Sequence, residues 1–197
     1  KLVRREISQI LSPGTLDDFG LDDRKPNYLA ALCSRGDAFG MAFCDLSTGE
    51  FRLTELATLP ALLDELARVS PSEILVPDHQ TDQFATINPR SVLDGYVFES
   101  EPATDILRSH FKVHSLDGFG CADLPAGTGA AGALLHYITR QMRRQAGHLN
   151  RLQPYRCSQF LILDAASQSH LELVNSRAGR SMTLLGALDR TSTPMGA

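Results

Sequence analysis

Four groups of residues in this chain have types and spacings that could do chemistry. Gly127-Thr128-Gly129-Ala130-Ala131-Gly132 matches G-x-G-x-x-G, the glycine pattern with which a strand-to-helix turn receives a pyrophosphate. That chemistry needs a hydrophobic strand just before the glycines and a carboxylate about 20 residues after them. Here Cys121-Ala122-Asp123-Leu124-Pro125 precedes the motif, and the next carboxylate after Asp123 is Asp164. The better reading is a helix N-terminus whose small residues permit close packing. His110 and His114 have the spacing that puts two metal ligands on one helix face, with Cys121 and Asp123 nearby. Leu116-Asp117-Gly118-Phe119-Gly120 breaks any helix joining them, so His110 is read as a packed histidine and no metal site is assigned.

Asp45, Glu73 and Asp94 fall near the ends of expected strands, where a two-metal nuclease would hold Mg²⁺. Such a site needs several converging oxygen ligands, and nothing else is placed to complete this set. There is no G-x-S-x-G elbow and no recognisable Ser, His and acid spacing. No catalytic residue is assigned. The fourth group is basic: Arg140, Arg143, Arg144, Arg151 and Arg156, with His136 and His148. No carboxylate lies between Asp123 and Asp164, so this stretch, residues 136–156, could meet DNA phosphates, with Arg140, Arg143 and Arg144 as the candidates. It lacks the interleaved aromatics of a single-strand binder.

Hydrophobic periodicity gives the elements that must position these residues. Arg5 to Leu11 reads as a short strand, ended by the turn Ser12-Pro13-Gly14-Thr15. Residues 27–34, 39–46 and 50–55 read as three strands of an antiparallel meander, turned at Arg35-Gly36-Asp37 and Ser47-Thr48-Gly49. Leu59, Leu62, Leu63 and Leu66 then recur with helical spacing, with Thr58 as a cap and Pro71 as the stop. Glu73 to Val76 and Tyr96 to Phe98 read as strands, and Pro102 opens a second helix. Asp105, Arg108, Ser109 and Lys112 fall on its polar face. Ala126 to Gln145 reads as one long helix, with His136, Arg140 and Arg144 forming a stripe at i, i+4 and i+8. Phe160 to Leu163 is a short apolar run, and residues 165–174 and 182–188 read as short helices. The order βββαβ followed by βα belongs to an α/β sheet with flanking helices, an RNase H-like order.

Composition sets the outer limits. The chain has 197 residues, 43% hydrophobic and 21% charged, which is enough to bury a core without disulfides or metal. Up to Leu124 there are 20 acids against 11 bases; from Pro125 on there are 3 against 8. That change marks a boundary near residue 120. No apolar run approaches the ~20 residues of a membrane helix. Cys33, Cys44, Cys121 and Cys157 form no C-x-x-C pair and read as reduced thiols of a cytoplasmic protein. The chain starts at Lys1 instead of Met and is expected to be a piece of a longer one.

Ordered blocks along the chain resemble the MutS family of DNA mismatch-repair proteins. Residues 5–15 resemble the end of that family's mismatch-binding domain. Asn27-Tyr28-Leu29-Ala30-Ala31 and Asp45-Leu46-Ser47-Thr48-Gly49-Glu50-Phe51 are similar to the opening strands of its connector domain, and Pro71-Ser72-Glu73-Ile74-Leu75 to a later strand. Leu116 to Gly120 resembles the connector's exit, and Ala130 to Tyr137 the first helix of the core, or lever, domain. Leu163-Asp164-Ala165-Ala166-Ser167 with Leu171-Glu172-Leu173 resembles the pattern LD-x-x-[ST]-x-x-NLE, with His170 where the family has Asn. Leu188-Asp189-Arg190-Thr191-Ser192-Thr193-Pro194-Met195-Gly196 is similar to the next block.

The resemblance implies three segments: residues 1–17 ending the mismatch-binding domain, 18–120 forming an RNase H-like connector, and 121–197 beginning a mainly α-helical core domain. It implies a non-catalytic role, passing conformational change between mismatch-binding and ATPase domains and helping to dock MutL. The polar face of the second helix, with Asp105, Arg108, Ser109 and Lys112, is the candidate partner surface, and Gly118 and Gly120 are candidate hinges. In the family, ATP and Mg²⁺ bind at a G-x-x-x-x-G-K-[ST] loop, which this sequence lacks. Mismatched double-stranded DNA, MutL and a homo-oligomeric state are what the resemblance implies for a full-length protein. The alternatives are an RNase H-like metal-dependent nuclease and a stand-alone DNA-binding module using residues 136–156.

Overall fold

The computed structural model describes residues 12–15, 26–88, 90–157, 163–174 and 176–191. The strand expected over Arg5 to Leu11 and most of the Phe160 to Leu163 run lie outside the described residues. The sheet is built on β1 (Tyr28–Arg35), β2 (Ala38–Asp45) and β3 (Glu50–Leu56). They pair antiparallel as the expected meander, with Tyr28 opposite Asp45 and Asp45 opposite Glu50. Gly36 and Gly49 make the two turns with φ of +58° and +76°, a backbone region that favours glycine.

After β3 the hydrophobic period changes from two to 3.6, and α1 (Leu59–Val69) follows. Thr58 caps it by accepting the Ala61 N–H, and Pro60 sits in the first turn, where no N–H is needed. Its stop is Ser70, not Pro71: Ser70 turns left-handed at φ +50° and its N–H returns to the Leu66 carbonyl. Leu62 and Leu66 are buried against the sheet. Each such leucine contributes about 1.5–3 kcal/mol.

β4 (Glu73–Pro77) lies parallel to β1, and β5 (Arg90–Leu93) parallel to β4. The strand expected over Tyr96 to Phe98 is instead a 3-10 turn, Gly95–Phe98. Asp94 caps that turn by accepting the Tyr96 N–H, and the consecutive residues Val97 and Phe98 both face the core, which a strand's alternation would forbid. α2 (Ser100–Phe111) ends at Lys112, again left-handed at φ +54°.

The long helix expected to Gln145 is shorter. α3 (Pro125–His136) runs into a π turn over Tyr137–Gln141, and Arg143 leaves it at φ +52°. The Met142 and Arg144 N–H groups bond back to Tyr137 and Ile138 carbonyls. Arg144 therefore does not continue a stripe with His136 and Arg140. Residues Ala126 to Leu135 are buried all round. α3 lies on β1 and β2 and against α2, and one apolar core runs from Leu29 to Leu152. The boundary expected near residue 120 thus passes through a single core. β6 (Gln153–Pro154) adds in parallel to β3.

The six strands order as β5-β4-β1-β2-β3-β6, a mixed RNase H-like sheet with α2 and α3 on one face and α1 on the other. Two short helices follow, α4 (Ala165–His170) and α5 (Leu184–Leu188). Among the described residues no helix is long and apolar enough to cross a membrane.

Candidate functional site

The carboxylates weighed for a two-metal site do not converge. Tyr28 pairs with Asp45, while the next residue, Leu29, pairs with both Cys44 and Glu73. Strand side chains alternate between faces, so Asp45 and Glu73 lie on opposite sides of the sheet. Asp45 folds back to hold its own turn: Oδ1 accepts from the Ser47 N–H (2.8 Å) and hydroxyl (2.6 Å). Its Oδ2 is buried without a hydrogen-bond partner among the described residues. Asp94 is the cap described above. No group of three or more His, Cys, Asp and Glu among the described residues could hold a metal. The three carboxylates of the nuclease alternative therefore do not meet at one site among the described residues.

Glu73 is buried and holds three segments. Its Oε2 accepts from the Gly14 N–H (3.2 Å), and its Oε1 from the hydroxyls of Ser91 (2.9 Å) and Tyr137 (2.7 Å). Burial first, and then this bond to Glu73, push the Tyr137 hydroxyl up to about 12.

The glycine-rich N-terminus of α3 already has its anion. Glu55 Oε1, from β3, accepts from the Ala126 and Gly127 N–H groups at 2.5 and 3.0 Å. A carboxylate there matches the positive end of the helix dipole and leaves no position for a phosphate. The glycines serve packing, as the sequence suggested. A Cβ on Gly129 would lie 2.4 Å from the Phe98 carbonyl oxygen, and one on Gly132 2.4 Å from Cα of Ala103. A Cβ on Gly40 of β2 would lie 2.1 Å from the Ala126 carbonyl carbon. α3 therefore sits at near-contact distance on the sheet, the 3-10 turn and α2.

Asp105, Arg108, Ser109 and Lys112 are all exposed on α2. Arg108 is committed within the helix end: its Nε donates to the His114 carbonyl (2.6 Å), and its guanidinium lies 3.7 Å from Asp105. His110 donates from Nε2 to the Leu149 carbonyl (2.7 Å), so it is a packing residue, and His114 does not join it at a site. Gly118 has free space around it, whereas Gly120 sits at φ +73°, a conformation that favours glycine. Leu116 and Cys121 on either side are buried, and Phe119 packs on Phe111 at 4.9 Å. Arg140 and Arg143 are exposed and Arg144 half-buried. The end of α3 breaks the stripe expected from His136, Arg140 and Arg144.

Sequence reasoning missed another buried carboxylate. Glu65 of α1 accepts from Nε and Nη2 of Arg68 and from the Tyr155 hydroxyl (2.5 Å), tying the chain after β6 to α1. Burial, then Glu65, raises the Tyr155 hydroxyl, and burial also raises the nearby Cys157 thiol. The i, i+3 spacing of Glu65 and Arg68 was visible in the sequence; the reach to Tyr155 was not. Beside this cluster a groove of about 890 Å³ runs between α1 and residues 163–174.

The family model for MutS domain II matches residues 27–150. The chain is 40% identical over 206 residues to the DNA mismatch repair protein MutS of Syntrophobacter fumaroxidans, covering 99% of this chain and 23% of that protein. It is 39% identical to MutS of Protochlamydia amoebophila over 208 residues (100% and 24%) and 38% identical to MutS of Myxococcus xanthus over 208 residues (100% and 23%). The chain thus spans about a quarter of the length of these relatives. The matched range starts at the residue before β1 and stops just short of β6, so it takes in the shared core of sheet, α1, α2 and α3. This chain belongs to the MutS family of DNA mismatch repair proteins, of which it carries domain II.

Proposed function

We propose that the chain acts as a rigid connector in a MutS-type mismatch-repair protein, passing displacement between the mismatch-binding and ATPase parts without chemistry of its own. The near-contact packing of α3 through Gly40, Gly129 and Gly132 carries this reading. Backbone packed against backbone has no soft side chains to absorb a push, so the sheet, α2 and α3 move as one body. The half-buried Glu55 and the buried Glu65 and Glu73 fit the same role, since each bonds a remote segment. ATP and Mg²⁺ belong to the whole protein. The one G-x-G-x-x-G helix start here is filled by Glu55 and does not suit a phosphate.

MutL docking is assigned to the exposed face of α2. Lys112 is the residue to alter, because Arg108 is needed at the helix end. Lys112→Glu should weaken MutL binding by full-length MutS while mismatch binding is kept. Unchanged MutL affinity removes this face.

The connector reading is tested in full-length MutS with Gly132→Ala. Mismatch affinity and basal ATP hydrolysis should be retained, while ATP-driven conversion to a sliding clamp slows. Clamp formation at the original rate, with α2–α3 packing shown to be loosened by hydrogen exchange, would contradict it.

A further inference from the structure

Glu73 is a charged side chain buried at the meeting point of three segments that are distant in sequence. Its partners are a backbone amide on the incoming turn, a hydroxyl on the edge strand β5 and a hydroxyl at the end of α3. Among the described residues Glu73 makes no ion pair, and these three donors are all neutral. A buried carboxylate stripped of water depends on each such bond, because losing one leaves part of its desolvation uncompensated.

The incoming turn has further attachments at the same place. Asn27 Nδ2 donates to the Pro13 carbonyl (3.1 Å), and the Ser12 side chain bonds to Tyr137. A Cβ on Gly14 would lie 2.8 Å from Leu29 Cδ1 and 3.0 Å from Glu73 Cβ, so only glycine lets this turn seat against the carboxylate. Tyr137 is the first residue of the π turn, the point where α3 gives way to the loop leading to β6.

We infer that Glu73 is a latch coupling the seating of the incoming turn, Pro13–Thr15, to the order of β5 and of the end of α3. When the turn is pulled away, the carboxylate loses its backbone donor. Its two hydroxyl partners are then held less firmly, and the loosening reaches the π turn and β5 together. For transmission between domains this rests on the connector reading above. The coupling itself is a property of this chain and is tested without any partner.

The test is hydrogen exchange on the full chain with single-hydroxyl variants. Tyr137→Phe, which also removes the Ser12 contact to the turn, should speed exchange at the Gly14 amide and, as the diagnostic effect, along residues 90–93. Ser91→Ala should speed it at Gly14 and across residues 137–142. Rises of roughly tenfold are expected for one lost bond to a charged group. Amides of β1, β2 and β3 should stay protected, showing the fold intact. Thr139→Val is the control: its hydroxyl bonds the Leu135 carbonyl and does not touch Glu73, so it should leave Gly14 unchanged. Effects confined to the substituted segment would overturn the latch. So would a Thr139→Val effect at Gly14 equal to that of Tyr137→Phe. Should a hydroxyl variant also lose protection in β1, β2 and β3, Glu73→Gln, which keeps the shape and removes the charge, is read by the same criteria. A latch intact by this test with clamp formation unaffected in full-length protein would fault the connector reading alone.

Discussion

Gly132 and Ala103 meet with no room for a side chain: a Cβ on Gly132 would lie 2.4 Å from both Cα and Cβ of Ala103. Here α3 and α2 pack backbone against backbone. Gly129→Ala and Gly132→Ala should therefore each lower stability by about 1–3 kcal/mol, outweighing alanine's better helix propensity. Gly120→Ala should cost about 1–2 kcal/mol through its positive φ, and Gly118→Ala should stay within about 0.5 kcal/mol. Urea midpoints at unchanged m-value check the series.

Glu55 closes the N-terminus of α3 from across the sheet. Glu55→Ala should cost about 1–2 kcal/mol, since two helix N–H groups lose their acceptor. Glu55→Gln, which keeps an acceptor oxygen and loses the charge, should cost less. If Gln and Ala prove equal, the charge on the dipole is the dominant contribution and the acceptor geometry is secondary.

His136 titrates below its ordinary value because burial, and then the neighbouring Arg140, disfavour its charged form. The unfolded chain therefore binds a proton more readily than the folded one. Stability from this residue is present above the unfolded value near 6.5 and is lost as pH falls towards the depressed folded value. Acidifying from pH 7.5 to 5.5 should lower the denaturant midpoint, and part of that slope should vanish in His136→Gln. An identical slope in the variant would assign the effect to other groups.

The four thiols should divide by burial. Cys33 and Cys121 are pushed up to about 12 and about 11, and Cys44 is also raised, in each case chiefly by burial. Cys157 is the one that is half-exposed. Labelling with a disulfide reagent at pH 8 should modify Cys157 first, with the other three reacting only on unfolding. Fast labelling of Cys33 or Cys44 would contradict the described core.

Local patterns carried most of the architecture. The two-residue alternation of β1 to β3 and the leucine spacing of α1 needed no tertiary information. β5 escaped because Arg90-Ser91-Val92-Leu93 is a short edge strand without alternating burial, and the 3-10 turn at Tyr96 reads as a strand because Tyr, Val and Phe all favour strands. α3 was overextended because nothing in Tyr137-Ile138-Thr139-Arg140 announces a π turn; tertiary bonds such as that of Tyr137 to Glu73 fix it there. The same reason hid the site. Glu55 and Ala126, or Glu73 and Tyr137, are brought together only by the closed sheet. Surface positions such as Lys112 were legible because helical spacing alone decides which face they occupy.

In full-length MutS the sheet, its helices and their close contacts are expected to move as one body. Paired fluorophores at Ala67→Cys on α1 and Ser109→Cys on α2, on opposite faces of the sheet and both exposed, measure it directly. Energy transfer between them should stay constant when ATP is added to the mismatch-bound protein, while transfer from either to a label in the ATPase region changes. A change between Ala67 and Ser109 themselves would contradict the rigid-connector account.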